Sequence, residues 1–299
     1  LSWFSKSERI ELPIFLKTDY LGFNFLSELH KFTSSKGKYK LDFQNVEWLE
    51  ANLCAVLGAI IETNKAQGSD FEFINLNDRY IENTLRNNGF LNYIKQAHAT
   101  PSKTHSGIPF RTFDLKDEEE LEEYIYKYVL LAREVPNMSA GAKRKIFRSI
   151  FEVYQNSVMH SGANQVFVCG QFYKFKGRMA LTMVEVGHTF KHNVTSHKPE
   201  YRSYDGVKSI EWAVKSGNTT KPNNETGGLG LDLIRSFLKL NNGKLQIRSA
   251  DGYWEEKKGV KFVSSCSSNF EGSIVNIEFN LRDTNEYYTP EEIDIKSIL

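Results

Sequence analysis

Cysteine is scarce in this 299-residue chain: Cys54, Cys169 and Cys266 stand about a hundred residues apart, with no C-x-x-C pair and no Cys/His cluster. That spacing excludes a disulfide framework and a structural zinc site, and it fits a reducing cytoplasm. Proline is scarce as well, 7 residues against 20 glycines, and no internal repeat or low-complexity tract appears, so fibrous and disordered classes are excluded. The longest hydrophobic run, Leu53 to Ile61, falls far short of the roughly 20 residues that span a bilayer. The opening residues, Leu1-Ser2-Trp3-Phe4-Ser5-Lys6, lack a basic-then-apolar signal pattern. The expectation is a cytoplasmic protein with no membrane partner. An excess of one charge is missing too: Lys+Arg 38 against Asp+Glu 37 leaves a formal +1. No global field draws the chain to nucleic acid, which is not indicated as a partner, and only a local patch could do so.

What is present is 40% hydrophobic residues in a chain about twice the commonest domain size, enough for one or two cores. In the first hundred residues strand-like and helix-like periods alternate. Arg9 to Leu16, Tyr39 to Phe43 and Phe71 to Leu76 read as strands, and Leu21 to Phe32, Trp48 to Lys65 and Asp78 to Asn87 as helices. A polar stretch from Gln96 to Gly107, carrying Pro101, reads as a linker. Beyond it come a helix from Asp117 to Arg133 and another, N-capped by Ser139, that runs to about His160. Strands are expected at Gln165 to Phe172, Arg178 to Val186, Lys244 to Ser249 and Gly272 to Phe279, with a helix from about Leu229 to Leu240 closed by Asn241-Asn242-Gly243. Asp251 to Ser268 reads as a surface excursion without a role, and Trp48, Trp212 and Trp254 read as core or cover residues.

Two elements carry chemistry. On the helix ending near His160, Phe147, Ile150, Phe151, Tyr154 and Val158 share an apolar stripe, while Glu152, Asn156 and His160 share the opposite one. A carboxylate and an amide at i, i+4 can approach one ligand together, the amide oxygen coordinating a hard cation and the carboxylate orienting or deprotonating a water. Taken alone, the same residues read first as solvated polar positions. The second element is Thr226-Gly227-Gly228-Leu229-Gly230-Leu231, glycines that open a helix and leave its N-terminal amides unhindered for an anion, or that simply make a turn. No Walker-type run is present.

In their order, these pieces resemble the GHKL ATPases, the superfamily of gyrase, MutL, histidine kinases and the anti-sigma-factor kinases. The resemblance covers roughly residues 115 to 282 and rests on Glu152-x-x-x-Asn156, the strand ending Val184-Glu185-Val186-Gly187, a long loop, and Gly227-Gly228-x-Gly230-Leu231. It implies ATP and Mg2+ as cofactors, with Asn156 holding the metal, Glu152 acting as general base on water, and Gly227, Gly228 and Gly230 wrapping the phosphates with Leu231 behind them. His160, Thr226 and Leu229 belong to the same motifs. The segment from about His188 to Thr226 corresponds to a mobile lid, with Lys215, Thr219, Thr220 and Lys221 as candidate phosphate contacts. One motif departs from the family's Asp-x-Gly-x-Gly: here it reads Glu185-Val186-Gly187-His188-Thr189. Glutamate keeps the acceptor for the adenine amino group but adds a methylene, and Thr189 replaces the second glycine.

More faintly, Tyr39 to Asn52, with Asn88-Gly89-Phe90 further on, resembles a STAS domain, the fold of the anti-sigma-factor antagonists. The Asp-Ser pair whose serine accepts a phosphoryl group in that family reads Glu50-Ala51 here, without a hydroxyl. The fold implied is an N-terminal STAS-like α/β domain with linker over residues 1–105, then a GHKL (Bergerat) α/β sandwich over 106–299 with helices on one face of a mixed sheet. The function implied is a magnesium-dependent ATPase whose lid closure controls pairing with a second copy, as a homodimer, or with a protein partner through the STAS-like domain. The alternatives are a catalytically inactive, nucleotide-gated interaction module and an anti-sigma-type Ser/Thr protein kinase. A histidine kinase is disfavoured, because His30, His98 and His105 sit in no long charged helical pair.

Overall fold

Short alternating strands and capped helices succeed one another through the first part of the chain, and they fold as a βαβαβ unit. The computed structural model describes residues 7–95, 107–114, 116–160, 162–197, 199–218 and 230–296, with only the backbone at 157–160 and 294–296. The elements of this part are β1 (Glu8–Glu11), β2 (Phe15–Leu16), α1 (Tyr20–Thr33), β3 (Lys38–Asp42), β4 (Trp48–Leu49), α2 (Cys54–Ala66), β5 (Asp70–Ile74), α3 (Arg79–Asn87) and α4 (Phe90–Ile94). Asp19 and Asp78 cap α1 and α3, their carboxylates accepting from the Gly22 and Ile81 N–H groups at 2.9 Å. Strands β1, β3 and β5 make a parallel sheet in that order. The helix expected from Trp48 is shorter than its period. Trp48-Leu49 pairs with Phe15-Leu16 and the Glu50 N–H bonds Leu16 O at 3.0 Å, so this backbone is taken by a strand before α2 begins. The linker stretch Gln96–Ser106 lies outside the described residues.

The second part comprises β6 (Gly107–Asp114), α5 (Glu118–Ile125), β7 (Asn137–Met138), α6 (Ala140–His160), β8 (Gln165–Tyr173), β9 (Arg178–Glu185), α7 (Phe190–His197), α8 (Gly206–Ala213), α9 (Gly230–Leu240), β10 (Lys244–Lys257), β11 (Val260–Asn280), β12 (Glu286–Tyr287) and α10 (Pro290–Lys296). Its main sheet has the order β10-β11-β9-β8-β6, with every neighbouring pair antiparallel. The expected mixed sheet is therefore corrected to an antiparallel one, since tight hairpins join β8 to β9 and β10 to β11 and can make only antiparallel neighbours. The strand β6 was not foreseen. The surface excursion at Asp251 to Ser268 is also corrected: it is the body of the β10–β11 hairpin, and Tyr253 and Trp254 are buried in it.

Strand alternation divides the side chains of this sheet between two cores. Met179, Leu181, Met183, Leu245, Ile247, Val275 and Ile277 face α6 and α9, meeting Ile146, Ile150, Tyr154, Leu231, Ile234 and Phe237. Their neighbours Phe167, Cys169, Val184 and Ile274 face the other way, into a core shared with α1 and α2. Helices thus cover both faces, not one, because the N-terminal unit supplies the second layer. From end to end the layers are parallel sheet, α1 and α2, antiparallel sheet, α6 and α9. Helix α2 lies between two sheets, and Cys54 to Ile61 are buried on every side. This is the apolar run of the sequence. A helix apolar all round needs such a place.

Polar residues are buried at the same layer boundary, and they are joined to one another. Asn52 Nδ2 donates to Thr182 Oγ1 at 2.8 Å and to Thr18 Oγ1 at 2.9 Å, and Tyr173 OH donates to Asn52 Oδ1 at 2.9 Å. Thr182 Oγ1 donates to Asn276 Oδ1 at 2.8 Å, and Asn276 Nδ2 to Gln246 Oε1 at 2.9 Å. Glu50 Oε2 accepts from the Thr18 N–H at 3.0 Å, and Arg178 bridges Glu50 and Glu278. Burial alone pushes the Glu50 carboxyl up, but the Arg178 guanidinium and the Thr18 N–H together outweigh it and hold the group below its ordinary 4.5. A lowered folded-state value contributes stability that is present above the unfolded pKa and lost as pH falls through the folded one. Urea midpoints measured from pH 7 down to pH 3 should therefore fall below about pH 4.5. Glu50→Gln should lower the neutral-pH stability by about 2–4 kcal/mol and flatten the acid limb.

Candidate functional site

Helix α6 starts where the sequence places its cap: the Ala142 N–H donates to Ser139 Oγ at 3.0 Å. Its buried stripe is Ile146, Ile150, Val153 and Tyr154, while Phe147 and Phe151 stack at the border, 5.5 Å apart. The stripe is turned by part of a residue step from the expected one, and this brings Glu152 and Asn156 half-buried to the flank instead of fully out to solvent. Helix α9 packs there. Gly230, its first residue, meets Glu152 so closely that a Cβ would fall 2.6 Å from both Glu152 Cβ and Oε2. A carboxylate is thus held at a helix N-terminus, where the helix dipole favours negative charge. Leu231 is buried behind in the helical core. The two elements that the motifs assign to one site do meet.

The third motif ends β9. Glu185 continues the odd-numbered series of that strand onto the face of α6 and α9, and it is buried. Ser273, its cross-strand partner on β11, donates to Glu185 Oε1 at 2.6 Å. Ahead of Ser273, Gly272 has φ +117, and a Cβ there would lie 2.1 Å from Glu185 O. Only glycine allows β11 to close on this point. Ser249 Oγ donates to Gly272 O at 2.6 Å and accepts from the Phe190 N–H at 3.0 Å. Ser249, Gly272 and Ser273 had no role in the sequence reading. Their only trace there was as ordinary strand positions, Ser249 closing one expected strand and Gly272 opening another. A carboxylate has about four lone-pair sites, so the Ser273 bond leaves Glu185 acceptor capacity.

Thr189 has a defined local job. Its hydroxyl accepts from the His192 N–H at 3.0 Å and its carbonyl from the Asn193 N–H at 3.0 Å, capping α7. Gly187 lies in the bend just before it. The lid segment, read from the sequence as irregular, contains α7 and α8 in its described part. Two helices of eight residues are too short to show a period. Asp205 caps α8 by accepting from the Lys208 N–H at 2.7 Å, Ile210 and Trp212 are buried, and Gly206 abuts Gly252 of β10. This half of the lid is therefore anchored on the hairpin. Lys215 is exposed in the turn after α8. Thr219, Thr220, Lys221, Thr226, Gly227, Gly228 and Leu229 lie outside the described residues, and of His160 only the helical backbone is described.

Among the described residues no three His, Cys, Asp or Glu side chains converge on a common point. The donors present suit a cation that takes few protein ligands. Magnesium keeps several waters and is commonly held by one or two side chains plus phosphate oxygens, and Asn156, half-buried one turn after Glu152 on α6, carries one such oxygen. No helix among the described residues is long and apolar enough to cross a membrane. The sequence matches no family model and no curated protein.

The contact between α6 and α9 is testable without a ligand. Gly230→Ala should cost about 1–3 kcal/mol in urea unfolding, because the obstructing atoms include Glu152 Cβ and not only the movable end of that side chain.

Proposed function

We propose that this chain is a magnesium-dependent ATP-binding protein of the GHKL type that hydrolyses ATP and uses lid closure to control protein association. The observation that carries the reading is the meeting of Glu152 with Gly230 at the start of α9, on the same sheet face as Glu185 at the end of β9. The described residues of three motifs far apart in the chain, Glu152, Glu185 and Gly230, lie on one side of one sheet.

In this reading ATP with Mg2+ supplies the phosphoanhydride bond and the charge-neutralising cation, and the chain supplies the rest. The N-terminal amides of α9 would hold the phosphates. Asn156 gives its side-chain oxygen to the cation, and Glu152 takes a proton from the attacking water as general base. Glu185 accepts from the adenine amino group, while Ser273 fixes the orientation of its carboxylate. The longer glutamate and the engagement of Thr189 as a helix cap favour a second reading, a nucleotide-gated module without turnover. A phosphoacceptor role for the N-terminal unit finds no support, since Ala51, at the acceptor position, has no hydroxyl and is buried.

Calorimetric titration of ATP with and without magnesium should show magnesium-dependent heat, and Asn156→Ala should remove the magnesium dependence. Glu152→Gln should keep binding and lower phosphate release about 100-fold or more. Binding that raises the melting temperature without phosphate release selects the second reading. Neither heat nor a melting shift in either buffer overturns both.

A further inference from the structure

A cleft of about 470 Å³ opens at the β8–β9 turn, among the residues Trp48, Tyr80, Gln171, Tyr173, Phe175 and Lys176. Its volume lies in the range of small-molecule sites. Trp48 and Tyr80 are stacked with ring centroids 5.4 Å apart, and the Phe175 ring at the turn is fully exposed. The Lys176 ammonium lies 3.9 Å from the centroid of Trp48 and 5.9 Å from that of Tyr173. Beside it, Lys17 sits 4.7 Å over Phe15. Among the described residues neither lysine has an ion pair, whereas the neighbouring cations all do: Lys174 with Glu134, Arg178 with Glu50 and Glu278, Lys244 with Glu278. Burial, with the charges of Arg178 and Lys17 beside it, draws the Lys176 pKa below 10.5, against the pull of Glu50 and Glu278. The Trp48 indole N–H and the Gln171 amide oxygen, both on lining residues, are buried without a hydrogen-bond partner.

We propose that this cleft binds a small ligand made of a planar aromatic ring carrying one negatively charged group. The ring packs on Trp48, Tyr80 and Phe175, recovering the apolar surface that Phe175 now gives to water. The charged group takes the Lys176 ammonium, which the aromatic face holds in place but does not neutralise. Glu50, Glu134 and Glu278 are each engaged by Lys174, Arg178 or Lys244, which leaves the Lys176 charge for the ligand. The cleft lies at the β8–β9 turn, at the other end of β9 from Glu185, and uses none of the residues assigned to the nucleotide site.

The test is ligand-observed NMR titration of the full chain with 2-naphthoate, its uncharged counterpart 2-naphthamide, and a fifteen-residue thymidine oligonucleotide. Naphthoate should bind with a Kd of about 1 mM or tighter. Naphthamide should bind about fivefold more weakly, and Lys176→Met should weaken naphthoate by a similar factor. Phe175→Ala should weaken both aromatic probes. These two residues are exposed, so melting temperatures should be unchanged, and Gly230→Ala should leave naphthoate binding as it is. No naphthoate binding at millimolar concentration, equal affinity for the amide, or insensitivity to Lys176→Met would overturn the proposal. So would loss of binding in Gly230→Ala, which would put the probe at α6 and α9, or binding of the oligonucleotide in preference to naphthoate.

Discussion

The first two turns of helix α2 have no polar face, and that constraint organises the molecule. Residues Cys54 to Ile61 can leave water only if apolar surface closes on them from both sides, so the parallel sheet of the first part and the antiparallel sheet of the second must sandwich the same helix. The βαβαβ unit and the antiparallel sheet then share a core, in which Phe23, Leu57 and Ile60 belong with Phe167, Val184 and Ile274. Helices α6 and α9 are free to cover the remaining face, and the candidate nucleotide site is built there. The back of that sheet is not available for anything else.

Burying one face against the other with apolar side chains alone would let the layers slide. The polar chain from Thr18 through Asn52, Thr182 and Asn276 to Gln246 supplies directional bonds at that boundary, and Arg178 adds charge between Glu50 and Glu278. Leaving any one of these groups unpartnered is expensive, so the relative placement of the layers is fixed by satisfaction of the set. Tyr173 belongs to this network through its hydroxyl and to the aromatic cleft through its ring. The two regions are therefore mechanically adjacent although their chemistry differs.

Much of this was legible from local signals. Asp78 and Ser139 marked helix starts, and strand-like runs marked β8 and β9, because such signals are encoded within a few residues. The pairing of Glu152 with Gly230 was readable as an expectation only through motif order, since nothing local says that residues 152 and 230 touch. What escaped was set by distant partners. Trp48-Leu49 reads as the start of a helix until Phe15-Leu16 pairs with it, and β6 has a period too irregular to stand out before its place beside β8 is known. The hairpin body between Asp251 and Ser268 looked like a solvent loop because polar residues fill its outer positions, while Tyr253 and Trp254 point into different cores.

Between Ser249 and Gly252 the register of β10 on β11 slips, Ala250 adopts φ +51, and the buried Arg248 guanidinium binds the carbonyls of Ala250, Gly252 and Ser268. Before the slip odd-numbered residues of β10 face α6 and α9, and after it the even-numbered Trp254 does. The irregularity behaves as a frame shift written in three dimensions. Removing one residue from it would restore a continuous frame and leave both aromatic side chains on their present faces, whereas regular pairing with the full count of residues would exchange them, sending the indole toward α1 and the phenol toward α8.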